Sequence, residues 1–199
     1  NLPILDAAAE GLGSFAFQGE HDGVIRRAPM LFNVAGKLFP SLSLEALRVA
    51  QGAESIAVKS SGASGETSYG AHTGISKLKV GQFIIPTDGE GRLWVDYSPD
   101  DPRRTIPAWK VLDRKNPPKD LNGAICFVGT SAPGLNDLRS TPLNPAAAGV
   151  TVHANIAEQV LTQTFLSRPD WAPGAEVLVT LALGLVLLGL LLLLGSAWS

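Results

Sequence analysis

Val177 to Trp198 reads VLVTLALGLVLLGLLLLLGSAW and holds no charged residue. A helix needs about 20 consecutive apolar residues to cross a hydrocarbon core, and the helix of a soluble domain is usually shorter or carries a polar face. The run is therefore read as a transmembrane helix. It lies at the C-terminal end, so it is not a signal peptide. Trp171 and Trp198 bracket it, roughly 40 Å apart at helical rise, which matches a bilayer with its headgroup zones. Pro173 and Gly174 break a helix near Trp171. The span is accordingly placed over residues 175–199, with Trp171 in a turn at the interface. No basic loop follows it, so charge does not orient it.

Residues 1–174 are then expected to form one water-exposed domain. Immediately upstream of the span, Val152, Ile156, Ala157, Val160, Leu161 and Phe165 trace one stripe of a helix over 152–166, ended by Arg168-Pro169. Further upstream, Ala124 to Val128 is a continuous apolar run, expected as a central strand covered on both faces. Cys126 within it is read as a buried, inert thiol. Phe83-Ile84-Ile85 and Leu93 to Tyr97 flank Thr87-Asp88-Gly89-Glu90-Gly91, the pattern of a hairpin. Lys59 to Ser76 is rich in Gly and Ser, the composition of a mobile loop, with His72 solvated in it. Ser41 is placed as the N-cap of a helix running to Gln51 and stopped by Gly52, with Leu42, Ala46, Val49 and Ala50 on one apolar face that Leu44 and Leu47 widen.

Gly13 to Phe17 and Val24 to Val34 read as strands, the second interrupted by Pro29 at an edge or bulge. Asn33 to Lys37 closes a hairpin onto Leu38-Phe39, and Ile106 to Asp113 is long enough for one or two helical turns. Strands mixed with helices give an α/β domain, or α+β, with a mixed sheet and covering helices, followed by one C-terminal transmembrane helix.

The chain has 16 basic and 18 acidic residues and no basic patch, which leaves nucleic-acid binding without support. One cysteine excludes an intrachain disulfide. No metal-ligand spacing, P-loop or dinucleotide glycine pattern is present, so neither a metal nor a cofactor is expected.

Three groups of residues are candidates for ligand contact. Ligands of open α/β sheets bind beyond the carboxyl ends of strands. That points to Gly129, Ser131 and Gly134, small residues that let backbone amides approach a ligand. Asp137, Arg139 and Thr141-Pro142 follow in the same segment, and His153 opens the last helix of the domain. His153 is read first as a core-edge histidine bonded to a neighbouring loop, and second as a ligand contact. Asp22, Arg26 and Arg27 form the remaining group. Adjacent arginines on a strand point to opposite faces, so an Asp–Arg pair either fixes the turn or lines an anion site. Ser131, Asp137 and His153 also follow the chain order of a hydrolase triad. Pro133 stands where the nucleophile elbow has glycine, and all three lie within a short stretch.

Taken together, the motifs resemble a known family. Asp22-Gly-Val-Ile-Arg-Arg-Ala-Pro-Met30 is similar to the D-G-V-x-R-x-x-P-L stretch of CHASE2 sensor domains, and Phe39 to Glu45 (FPSLSLE) to their P-S-L-x-L-E. Val128 to Ala132 resembles the G-x-S-A turn, Asp137 through Thr141-Pro142 the D-x-x-x-T-P element, and Gly149 to Asn155 (GVTVHAN) the G-V-x-x-H-A-N that opens the final helix. The resemblance implies an extracytoplasmic, periplasmic-side sensor in the inner membrane of a bacterium. Its output would be a nucleotide cyclase, diguanylate cyclase, histidine kinase or serine/threonine kinase in the same full-length chain. One helix typically precedes such a domain and about three follow it, so the chain reads as N-terminally incomplete. A homodimer in the lipid bilayer is expected, with an unidentified small-molecule or protein stimulus and with enzyme activity residing outside this segment. The alternatives are a ligand-independent dimerisation module and, more remotely, a membrane-tethered hydrolase using Ser131.

Overall fold

The computed structural model describes residues 2–60, 74–113, 121–131, 137–168 and 171–194. Its elements run α1 (Pro3–Ala8), β1 (Arg27–Pro29), β2 (Leu31–Val34), β3 (Lys37–Pro40), α2 (Leu42–Ala50), β4 (Ile56–Ser60), β5 (Ile75–Val80), β6 (Phe83–Pro86), β7 (Arg92–Trp94), α3 (Ala108–Leu112), β8 (Leu138–Arg139), β9 (Ala147–Ala148), α4 (Gly149–Thr162) and α5 (Ala172–Leu194). The strands form four small antiparallel sheets, β1–β7, β2–β3, β4–β5–β6 and β8–β9. Helix and strand are mixed as expected, in the α+β form.

Local chemistry accounts for the elements that were read correctly. Ser41 caps α2 by accepting the Leu44 N–H at 3.3 Å, satisfying one of the donors that a helix start leaves free. Past its end, Gly52 takes a φ of +61°, the left-handed value that stops helices on glycine. The β2–β3 loop places Ala35 and Gly36 at φ +51° and +81°. Positive φ at both central residues is the turn that matches strand twist, and the Asn33 side chain secures it by accepting the Gly36 N–H at 3.0 Å.

β5 alternates as a half-buried strand does, with Leu78 and Val80 inward and Lys77 and Lys79 outward. α2 and α4 pack together and against the sheets. Between them lies one core built from Met30, Leu44, Leu47, Leu78, Val80, Ile85, Leu93, Val152, Ile156 and Val160. α5 stands outside this core and begins at Ala172, so Pro173 and Gly174 lie in its first turn, where a proline forfeits no helical hydrogen bond, and do not break it as expected. It is long and apolar enough to cross a membrane, and none of its most apolar stretch is buried against the domain.

Four further expectations are corrected. First, Phe83–Ile85 and Leu93–Tyr97 do not form a hairpin with each other. β6 folds back on β5 through the two-residue loop Gly81-Gln82, with Gly81 at φ +53°, while β7 crosses to β1 and pairs Arg27 with Trp94. The Asp88 carboxylate makes the diversion, since Oδ1 accepts the N–H groups of Glu90 and Arg92 and turns the chain away from β6. Second, Ala124–Val128 is not a covered strand. It makes no ladder with any described strand, Cys126 is exposed and Val128 is 94% exposed. An apolar run becomes a central strand only where strands lie on both sides of it, and none of the described ones does.

Third, the buried stripes are narrower than expected: Leu161 of α4 and Val49 and Ala50 of α2 are exposed, each lying beside the inward face, and α4 ends at Thr162 with Gln163 in the left-handed conformation. Fourth, Gly13–Phe17 contributes a single bridge, from Ser14 to Ser41, in place of a strand. Of the Gly/Ser-rich stretch, residues 59–60 and 74–76 belong to β4, β5 and the approach to β5. His72, Gly134 and Trp198 lie outside the described residues.

Candidate functional site

The candidate residues fall into two groups. The first surrounds Arg26 and Arg27. Asp22-Gly23 turns the chain, with the Asp22 carboxylate accepting the Val24 N–H at 3.0 Å. Arg26 then lies back on that carboxylate in a two-pronged contact of 3.1 and 2.8 Å and reaches Glu20 at 3.3 Å. Arg27 donates to the other oxygen of Glu20 at 2.8 Å and to Asp88 at 3.4 Å, and covers the Trp94 ring at 4.9 Å. Arg92 binds Asp88 at 2.9 Å and Glu90 at 2.9 Å.

The two arginines were expected on opposite faces. Arg26 precedes β1 instead of lying in it, so the alternation does not apply and both reach Glu20. Four carboxylates meet three guanidiniums here, and every arginine is engaged. The arrangement fixes the turn and ties β1 to β7. Each of these three guanidiniums is paired among the described residues, which favours the structural role for this group.

The Arg26 hydrogen bonds, and then the Val24 N–H, hold the Asp22 carboxyl down at about 2. Because this folded-state value lies below the ordinary 3.8, the pair favours the folded state above that value and loses its contribution as pH falls through about 2. A carbon-detected carboxyl titration is expected to find Asp22 ionised well below pH 3.8, and Arg26→Gln to return it toward the ordinary value. An unchanged titration in the variant would refute the assignment.

The second group lies where α2 meets α4. His153, in the second turn of α4, is 2% exposed. Its Nδ1 is 2.8 Å from the Oγ of Ser43 in the first turn of α2, and that hydroxyl lies 3.2 Å from the His153 carbonyl. Phe17 covers the imidazole with ring centres 4.4 Å apart, and Phe127 lies at 6.2 Å, nearly parallel to it. Nε2 meets no acceptor in full hydrogen-bond geometry among the described residues. Burial pushes the histidine below its ordinary value, opposed by the Phe15 carbonyl and the charge of Asp137. Asp137 in turn holds the start of α4, its carbonyl accepting the Gly149 N–H at 2.7 Å, with Oδ1 4.0 Å from Arg139 Nε.

Thr141 is spent on its own loop, where its hydroxyl donates to the Asn144 carbonyl and accepts the Asn144 N–H, both at 3.0 Å. Ser131 is exposed and makes no hydrogen bond to His153, whose Nδ1 is taken by Ser43. The two groups are joined through the chain, since Val24 bridges Ser140 and the Ile25 N–H donates to the Ser140 carbonyl at 2.8 Å.

A family model described as CHASE2 domain matches residues 2–193. The chain belongs to the CHASE2 family. CHASE2 domains are extracellular sensor domains of bacterial transmembrane signalling receptors. The match extends through α5, so the apolar helix lies within the family's span. No curated protein and no solved structure matches the chain.

Sequence reasoning passed over the residues that tie this CHASE2 domain to its last helix. Gln159 is buried, and its amide spans the backbone beyond β7, accepting the Asp96 N–H at 3.0 Å and donating to the Trp94 carbonyl at 2.8 Å. Asn155 accepts the Ser98 N–H at 3.0 Å, and Glu158 takes Arg104 in two contacts of 2.7 Å. These side chains recur at three- and four-residue spacing along one face of α4 and hold residues 94–98 as a neighbouring strand would. A signal was present: Gln159 falls beside Val160 on the apolar stripe, and a buried amide requires partners. Ser43 gave the same signal, a polar residue between two leucines of an inward face.

Proposed function

We propose that this chain is the stimulus-sensing domain of a bacterial inner-membrane receptor, with residues 1–174 on the periplasmic side. In this reading it regulates a cytoplasmic output domain of the same receptor, a nucleotide cyclase in the first instance, through its membrane helix. The observation that carries the reading is the position of α4. One face of α4 lies in the core and holds the end of β7 and the segment after it through Asn155, Glu158 and Gln159, and only residues 163–171 separate its end from α5. Any change that repacks α4 is therefore delivered close to the bilayer. Arg168 pairs with Glu176 across this link at 2.5 Å, tying the approach to α5. The left-handed Gln163 that ends α4, and Pro173 in the first turn of α5, keep the two helices from forming one rod. The signal accordingly passes by repacking between the two protomers of a homodimer, since cyclase and kinase outputs commonly need two chains.

The reading is tested in the full-length receptor in native membranes by inserting two glycines after Leu166. Output is expected to change while the crosslinked dimer fraction stays constant. Unchanged output would refute the sensor reading. Output that merely follows the dimer fraction would support the assembly module instead, the reading favoured by the exposed Val34, Leu38 and Phe39 of the β2–β3 hairpin.

A further inference from the structure

We propose that the stimulus, or one of the stimuli, is the proton, and that His153 is its binding site, acting as a latch between α2 and α4. The proposal rests on the sensor reading above and adds the chemistry of the input. Its basis is the way the imidazole is held. A neutral ring needs one acceptor for its N–H, and an imidazolium needs two. Ser43 Oγ serves one nitrogen, its own hydrogen going to the His153 carbonyl, and Nε2 meets no acceptor in full hydrogen-bond geometry among the described residues, the Phe15 carbonyl giving the charged ring partial compensation.

The surroundings also oppose a positive charge. His153 lies in the second turn of α4 against the first turn of α2, so two helix N-termini, each with a partial positive charge, converge on it. Phe17 and Phe127 cover the ring and exclude water. The elements packed on it bring one titratable group that acts on it, Asp137, which shares its charge with Arg139. On α2, Glu45 is paired with Arg48, and on α4, Glu158 is paired with Arg104.

A proton on this ring therefore creates a buried cation that the Phe15 carbonyl and Asp137 offset only in part, and the seam relieves it by opening. Opening is local, because Phe127 sits on the 121–131 segment, which makes no ladder with the sheets. The sign follows from the depressed folded-state value. The seam is intact above the ordinary imidazole range near 6.5 and loses stability as pH falls below it. A domain facing the periplasm would meet that range when the surroundings acidify.

The test uses the full chain in lipid nanodiscs with Cys126→Ser and spin labels on Val49→Cys and Leu161→Cys, both exposed positions of α2 and α4. The inter-label distance is expected to lengthen between pH 8 and pH 5, reversibly. His153→Gln, neutral at every pH, is expected to abolish the change. Asp137→Asn removes a charge that favours the imidazolium and is expected to move the midpoint to lower pH. A distance that ignores pH in the parent chain, or an identical transition in His153→Gln, overturns the proposal. Should His153→Gln fail to fold, histidine-ring NMR of the parent decides, because a His153 resonance titrating at or above the ordinary value also overturns it. Failure here leaves the sensor reading standing if the two-glycine insertion still alters output. An insertion without effect removes that reading whatever the pH response.

Discussion

Replacing Gln159 with leucine is expected to lower the free energy of unfolding by about 1–3 kcal/mol, about 0.5–1.5 for each of the two partly buried hydrogen bonds lost. The leucine fits the apolar stripe of α4 and adds hydrophobic surface, so a simple hydrophobicity argument predicts the opposite sign. The amide prevails because it is the only described group that satisfies the Asp96 N–H and the Trp94 carbonyl together, where β7 leaves its ladder with β1. Urea unfolding in detergent micelles, followed by tryptophan fluorescence, measures the loss. Gln159→Glu supplies an internal control. A protonated carboxyl can accept from Asp96 and donate to Trp94, whereas the carboxylate cannot donate and is a buried charge. That variant is expected to be more stable in mild acid than at neutral pH, opposite to the trend His153 gives the parent.

How far the fold could be read from sequence depended on whether the deciding interaction was local. α2 was legible at both ends because its cap and its stop are each within three residues of the helix. The β2–β3 hairpin was legible because Asn33, Ala35 and Gly36 build the turn among themselves. The α4 stripe was legible over Val152, Ile156 and Val160, all fully buried. The β6–β7 pairing was not. Thr87 to Gly91 does turn the chain, but a turn signal does not state which strand the exit will meet, and that choice was made by β1, about 65 residues earlier. Ala124–Val128 failed for a related reason, since an apolar run states a preference for burial and not whether a partner strand lies beside it.

The candidate site divides in the same way. The Asp22–Arg26 contact spans four residues and was foreseen as a structural pair. Glu20, Asp88 and Arg92 join it only once β7 lies against β1. The link between Ser43 and His153 spans 110 residues, so pattern alone could place each residue on an apolar face but could not pair them. His153 was placed by pattern at the edge of the core, and the structure buries it there. Its Nδ1 is bonded to Ser43 of a helix, and the loop carbonyl of Phe15 also acts on the ring.

Ile156→Ala is expected to cost about 2–5 kcal/mol and Ile156→Val about 0.5–1.5 kcal/mol, because the deleted methyl groups leave a void that the core fills only in part. Ile156 is fully buried, one turn beyond His153 on the face of α4 that meets Leu44, Leu47 and the sheets. Val34→Ala on the exposed hairpin tip, by contrast, should change stability by no more than about 0.5 kcal/mol. The comparison separates two roles for α4. If α4 is only a scaffold, output of the full-length receptor in membranes should follow stability, and the alanine and valine variants should lose folded protein and output in proportion. If α4 transmits, Ile156→Val should alter output per folded receptor while leaving the folded population intact, since a small void loosens the seam without unfolding the domain. Output normalised to the protease-resistant fraction distinguishes the outcomes. A normalised output unchanged in both Ile156 variants would remove α4 from the signalling path.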